Sequence, residues 1–173
     1  MKFLIFIAPK DFKDETLSMV KMLFGRWGIS YDVSSYSTKE CIGYHGSRSM
    51  PDVNAGKANP SDYNGIFIVD GVGIDSYKLF EFRPLLDLVM QFNNAGKYVC
   101  AVDNAVKIPA RANIIKNKSI ATAGNDELKR LILLFHGVPT ANQIEISSNV
   151  VTIKDSRNIE ESLDLLIEKL GVK

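Results

Sequence analysis

Residues 97–105 read KYVCAVDNA. Four apolar residues, Val99, Cys100, Ala101 and Val102, stop abruptly at Asp103, and a helix-compatible segment, NAVKIPARAN, follows at once. A short apolar run with that boundary reads as a buried strand turning directly into a helix. Such a corner holds one side chain at the exposed end of a sheet, beside a helix N-terminus, where many α/β enzymes place a Ser or Cys nucleophile. Here the residue is an aspartate. The same residue also reads as a helix N-cap, because Asp accepts backbone N–H bonds at a helix start while the dipole stabilises its charge.

Working outward from this corner, two more continuous apolar runs, KFLIFIA (2–8) and GIFIVDG (65–71), have the character of parallel strands covered on both faces. After the first, PKDFKDE supplies turn and N-cap residues, and Leu17, Val20, Phe24 and Trp27 recur at helical spacing before Gly28. A second strand is expected over Ile29–Tyr36. Phe82, Leu85, Leu86, Val89 and Phe92 make an amphipathic helix that stops at Gly96. The helix after the corner is expected to end near Asn113, a residue that tolerates a left-handed C-cap.

Residues 38–64 are rich in Gly, Pro, Asn and Ser without sustained periodicity, which predicts short peripheral strands and turns. Towards the C-terminus, a short strand near Ser119–Ala121 precedes a helix from Asn125 or Asp126 to about His136. Ile144–Ser147 and Val150–Ile153 form a hairpin around Ser148-Asn149. Ile159, Leu163, Leu166, Ile167 and Leu170 mark a last helix, closed by Gly171. The fold class is therefore α/β: a three-layer sandwich with a mostly parallel sheet and an antiparallel edge hairpin.

A chain of 173 residues with 46% apolar and 24% charged residues is expected to form one domain, 1–173. The formal net charge of +1 predicts neither a nucleic-acid nor a membrane partner. MKFLIFIAPK is basic then apolar, but short for a signal peptide and without a small-residue cleavage site. Cys41 and Cys100 fit free thiols in a reducing cytoplasm. His45 has no second His or Cys at metal-ligand spacing, and the GVG fragment at 71–73 lacks both a Walker lysine and the third glycine of a dinucleotide fingerprint. No metal and no cofactor are expected.

Five segments in the correct order resemble the ThiJ/PfpI superfamily, most closely its PfpI-type intracellular proteases. The opening KFLIFIAPKDFKDETLSMVKMLFGRWGISYDVSSYS resembles the family's first strand, acidic loop and first helix, with Glu15 on the family's glutamate. IGYHGSRSM resembles its small hairpin, and NPSDYNGIFIVDG its segment ending in a Pro-Gly-Gly corner. GKYVCAVDNAVKIPARANII resembles the nucleophile segment, and HGVPTANQIEISSNVVTIKDSRNIEESLDLLIEKL the closing hairpin and helix. The resemblance implies a flavodoxin-like, class I glutamine amidotransferase-like sandwich that self-associates as a homodimer or higher oligomer.

The functional positions depart from the family pattern. The nucleophilic cysteine aligns with Asp103 and the following histidine with Asn104. The Pro-Gly-Gly corner, whose backbone amide helps build an oxyanion hole, is Val69-Asp70-Gly71. Asp75 matches an acid that reaches a neighbouring subunit's histidine in the protease branch, and Asn104 leaves that acid without a histidine to orient. Family activities of the peptidase, lyase and deglycase type all use the cysteine.

The leading expectation is a diverged, noncatalytic member, a pseudoenzyme that binds a small polar ligand, senses stress or assists other proteins, with Asp70, Gly71, Asn104 and Asp75 lining the pocket. The alternative is a hydrolase or lyase using Asp103 with Glu15, two carboxylates that would share a proton if family geometry brings them together. Glu15 is expected either to partner Asp103 in a buried pair or to turn outward. A third reading uses a displaced thiol: Cys100 is expected to be buried, and Cys41, in the peripheral hairpin, to be exposed. His136 is expected at a helix end, and His45 as an isolated turn residue.

Overall fold

The computed structural model describes residues 1–172. The apolar runs become the central strands β1 (Lys2–Phe6), β7 (Gly65–Ile68) and β8 (Tyr98–Val102), whose inner residues are almost wholly buried. Between β1 and β7 lie β2 (Lys10–Phe12), α1 (Asp14–Arg26), β3 (Ser30–Ser35), β4 (Cys41–Gly43), β5 (Arg48–Ser49) and β6 (Val53–Asn54). After β7 come α2 (Val72–Ser76) and α3 (Arg83–Asn94); after β8 come α4 (Lys107–Arg111), β9 (Ser119–Ala121), α5 (Asp126–Leu134), β10 (Val138–Thr140), β11 (Ile144–Ser147), β12 (Val150–Ile153) and α6 (Ile159–Lys169).

The main sheet runs β11-β12-β8-β7-β1-β3-β6 and is parallel except for β11, the antiparallel edge of the expected hairpin. The chain moves from β1 outward to β3 in one direction, and from β7 through β8 towards β12 in the other. Right-handed crossovers therefore put α1 and α3 on opposite faces, with α6 packed beside α1 and α4 beside α3. The reversal falls between β1 and β7. In open α/β sheets the crevice at the carboxyl ends of such strands is where ligands sit. Phe6, Ile68 and Ala101 stand in register across β1, β7 and β8, so the loops that follow these strands converge on that crevice.

Several local expectations hold for the reasons given. Asn113 ends its segment at φ +58, and Gly96 at φ +68 follows α3. Asn125 caps α5 by accepting from the amides of Glu127 and Leu128. His136 sits at φ +62 after α5, and Gly137 N–H reaches back to the Ile132 carbonyl at 2.9 Å, closing the helix with a left-handed residue that is not glycine.

Others do not. PKDFKDE contains β2, which pairs with β4, and the residue before α1 is Lys13, whose side chain makes no capping bond. Asp14 instead accepts from the amides of His45 (2.7 Å) and Ser47 (3.1 Å), clamping the β4–β5 turn onto the start of α1. The helix after β8 is broken into a 3-10 turn, 103–106, and the short α4, with Pro109 inside it. Cys41 is 1% exposed, because β4 faces inward where it pairs with β2; the expectation of an exposed thiol is overturned. Cys100 is fully buried in β8, as expected.

Candidate functional site

Three loops build the site. The loop after β1 brings Asp11, Lys13 and Glu15. The corner after β7 brings Asp70 and Gly71, and the corner after β8 brings Asp103 and Asn104. With Tyr44 and His45 from the β4–β5 turn they line a cavity of about 450 Å³, within the range of small-molecule sites. Lys13 N–H donates to the Asp70 carbonyl at 2.9 Å, and Phe12 bridges to Gly71, so the first two loops are tied together. A side chain at Gly71 would meet the Asp11 carbonyl at 2.5 Å, and its φ of +143 is one that L residues avoid.

Asp103 sits at φ +49, the left-handed backbone of a sharp strand-to-helix corner. That corner matches the elbow geometry expected from KYVCAVDNA. Asp103 is the first residue of the 3-10 turn that follows, and the N-cap position before it is held by Val102, whose side chain cannot cap. The N-cap reading of Asp103 therefore fails, because an N-cap residue has extended backbone and precedes the turn, whereas Asp103 lies inside it at φ +49. Burial pushes its carboxyl above the usual range. The Lys13 and Arg157 charges oppose that rise, and the charges of Asp155 and Asp75 add to it.

Asn104 is consumed by the opposite corner. Its Nδ2 donates to the Gly71 carbonyl at 2.7 Å and to Asp75 Oδ2 at 3.0 Å, while Gly71 N–H donates to Asn104 Oδ1 at 3.2 Å. The Gly71 amide is thus engaged within the protein. Asp75, expected to have no histidine to orient, holds Asn104 and also pairs with Lys107 Nζ at 2.6 Å; Lys107 reaches Glu127 at 3.2 Å as well. Burial works to lower the Lys107 pKa, but the hydrogen bonds to Asp75 and Glu127 win and raise it. Lys107 was not legible as a site-associated residue. Its only sequence signal was a lone lysine in an otherwise apolar stretch, VKIPA.

Glu15 turns outward. It lines the cavity but is more than half exposed, and its Oε1 lies 3.2 Å from His45 Nε2. The buried Asp103–Glu15 pair does not form, since α1 begins at Asp14 and points its first-turn carboxylates towards the hairpin. His45, expected as an isolated turn residue, faces the same cavity as Asp103.

Of the other carboxyl groups that line the pocket with Asp103, the buried one is Asp70. It is only 2% exposed, and its carboxyl lies beside the buried Thr16 hydroxyl. Burial pushes Asp70 up to about 6, against the nearby Thr16 hydroxyl and Lys13 charge and with a further rise from Asp103. Beyond the β12 end, Asp155 is gripped by Arg157 at 2.7 Å and holds its charge, so it acts on Asp103 only through space. Neither cysteine lines the cavity, and burial raises the pKa of both thiols. Among the described residues no group of three or more His, Cys, Asp or Glu is arranged to hold a metal ion, and no helix is long and apolar enough to cross a membrane.

Comparison with known proteins places this geometry. An uncharacterised protein of Methanocaldococcus jannaschii is 34% identical over 157 residues, covering 88% of this chain and 74% of that protein. The crystal structure of a ThiJ/PfpI domain protein from Brachyspira murdochii superposes with a TM-score of 0.91 over 99% of this chain and 97% of the other, at 19% identity. Drosophila melanogaster DJ-1β gives 0.84 over 99% and 91%, at 18% identity. Residues 1–166 match the DJ-1/PfpI family, and the chain belongs to it.

Proposed function

We propose that this protein is a diverged DJ-1/PfpI member that binds a small polar molecule in the cavity between the β1, β7 and β8 loops and does not perform the family's thiol chemistry. The observation that carries this reading is the Gly71–Asn104 pair. The amide that the family resemblance assigns to an oxyanion hole donates to Asn104 Oδ1 at 3.2 Å, opposite an elbow that bears a carboxylate. A thiolate and a free backbone donor are the two parts that acyl or carbonyl chemistry at such an elbow needs. Cys41 and Cys100 are both unpaired and buried, which supports a reducing, cytoplasmic setting and argues against a displaced thiol. Self-association follows from the family resemblance, and light scattering coupled to size exclusion tests it.

One observation favours a second reading, a hydrolase or lyase working through Asp103 and Glu15. His45 Nε2 lies 3.2 Å from Glu15 Oε1, and both line the same cavity as Asp103. Activating water against an ester formed on Asp103 requires an acid–base group of this kind. The two readings separate in one experiment. The purified protein and its Asp103→Asn variant are assayed against peptide, ester and α-oxoaldehyde substrates. Turnover that disappears in Asp103→Asn would establish the second reading. No turnover in either protein, together with ligand-induced changes at the pocket amides, would support the first.

A further inference from the structure

We propose that Lys107 is a positioning residue of this pocket: through Asp75 it fixes the Asn104 amide, and so keeps the Gly71 N–H engaged within the protein. This deepens the reading above by naming what holds the Gly71–Asn104 pair in place. Lys107 is 7% exposed, on a short helix whose next three residues, Ile108, Pro109 and Ala110, are also buried. A lysine in such a place costs desolvation and side-chain freedom, and an apolar residue there would commonly stabilise as well or better. What the ammonium supplies instead is direction. It reaches Asp75 Oδ1 at 2.6 Å and Glu127 Oε1 at 3.2 Å, and lies 5.4 Å from the centre of the Phe80 ring.

The bonds run in one line from α5 to the wall of the pocket. Asp75 divides its two oxygens, Oδ1 to Lys107 and Oδ2 to Asn104 Nδ2 at 3.0 Å. Asn104 Nδ2 also donates to the Gly71 carbonyl at 2.7 Å, and its Oδ1 accepts the Gly71 N–H at 3.2 Å. Turning the amide over would set its oxygen against both the Asp75 carboxylate and the Gly71 carbonyl, so an inward Asp75 admits one orientation only. Asp75 is about half exposed, and Lys107 is the cation paired with it. With that charge gone, water competes for the carboxylate and Asn104 loses its anchor. The Gly71 N–H bond is the longest of the three that Asn104 makes, so it opens first. Gly71, Asp75 and Asn104 all line the cavity with Asp103. Lys107 thereby decides whether that wall carries a closed peptide or a free donor.

Lys107→Met keeps the length and apolar stem of the side chain and removes its charge. Amide hydrogen exchange of the full chain, followed by NMR at pH 7, reads the Gly71 N–H, and the Asn104 Nδ2 proton shifts report the bond to Asp75. Relative to the Ile68 and Ala101 amides of the central strands, Gly71 in Lys107→Met is expected to exchange about tenfold faster than in the natural protein, with the Asn104 shifts moving as well. The Asn104→Ala background separates positioning from simple loss of structure. There Lys107→Met should add less than about twofold at Gly71, because its effect travels through Asn104. Should Lys107→Met fold poorly, Asp75→Ala breaks the same line one bond further on and should open Gly71 by a similar factor. Unchanged Gly71 exchange in either variant once folded, or a Lys107 effect equally large in the Asn104→Ala background, would overturn the positioning role and leave the binding reading standing. A Gly71 N–H that exchanges as a free amide in the natural protein would overturn both.

Discussion

Asp70 makes a measurable demand on stability. In the unfolded chain its carboxyl titrates near the ordinary value of 3.8, whereas burial in the native protein pushes it up to about 6. Between these values the folded state holds a proton that the unfolded state has lost. Stability therefore falls as pH rises through this window and levels off above it. At about 1.36 kcal/mol per pH unit the full difference is about 3 kcal/mol, of which about 2.5 kcal/mol is sampled between pH 4 and pH 7. Solvent screening takes little from this figure, because the residue is 2% exposed. Asn in place of Asp70 keeps the volume and cannot ionise. Any constant penalty from its amide cancels when the two proteins are compared as slopes against pH. Urea denaturation followed by circular dichroism, at pH 4, 5, 6 and 7, should show the natural protein losing about 2–3 kcal/mol more than Asp70→Asn across that range. Asp103, also raised by burial, contributes with the same sign in both proteins. Parallel pH–stability curves would refute the assignment of a buried, proton-binding Asp70, and so would a variant that loses more stability than the natural protein.

Other outcomes follow from the same geometry. Iodoacetamide at pH 8 should label neither Cys41 nor Cys100 in the folded protein and both after denaturation, since both thiols are buried; mass spectrometry of the folded sample decides. Replacing Asn104 by Ala removes the paired bonds to the Gly71 peptide and the contact to Asp75, and should lower stability by about 1–3 kcal/mol in denaturant unfolding. Gly71→Ala should cost more than that, because its Cβ would lie 2.5 Å from the Asp11 carbonyl at a φ of +143. Asp103→Val places a β-branched residue at φ +49 and should destabilise by about 2 kcal/mol or more, whereas Asp103→Asn should stay within about 1 kcal/mol, a contrast thermal unfolding reads directly.

Much of the fold could be read because it depends on local pattern. Continuous apolar runs had to be two-sided strands, the 0-3-4-7-10 spacing from Phe82 to Phe92 had to be a helix, and the hairpin at Ser148-Asn149 announced itself by alternation and turn chemistry. Short elements carried no such signal. β2 and β10 are three residues each and exist only because a partner strand, β4 or β9, happens to lie beside them. The breaking of 104–113 into two turns reflects a left-handed start at Asp103 and a proline six residues later, a combination whose outcome depends on packing.

For the site, sequence alone determined the position of the corner: a strand ending at Val102, an aspartate in the elbow place, an asparagine after it, and a glycine at the opposing turn. Those are properties of residues adjacent in the chain. Tertiary structure decided how the charges are shared out. Glu15 went to His45 across 30 positions, Asp75 to Asn104 and Lys107, Asp155 to Arg157, and Asp70 was left buried beside the Thr16 hydroxyl with no cation paired to it. Ionic pairing acts over a few ångströms in space and is indifferent to separation along the chain, so which carboxylate shares the pocket with Asp103 emerged only once the loops after β1, β7 and β8 had been brought together.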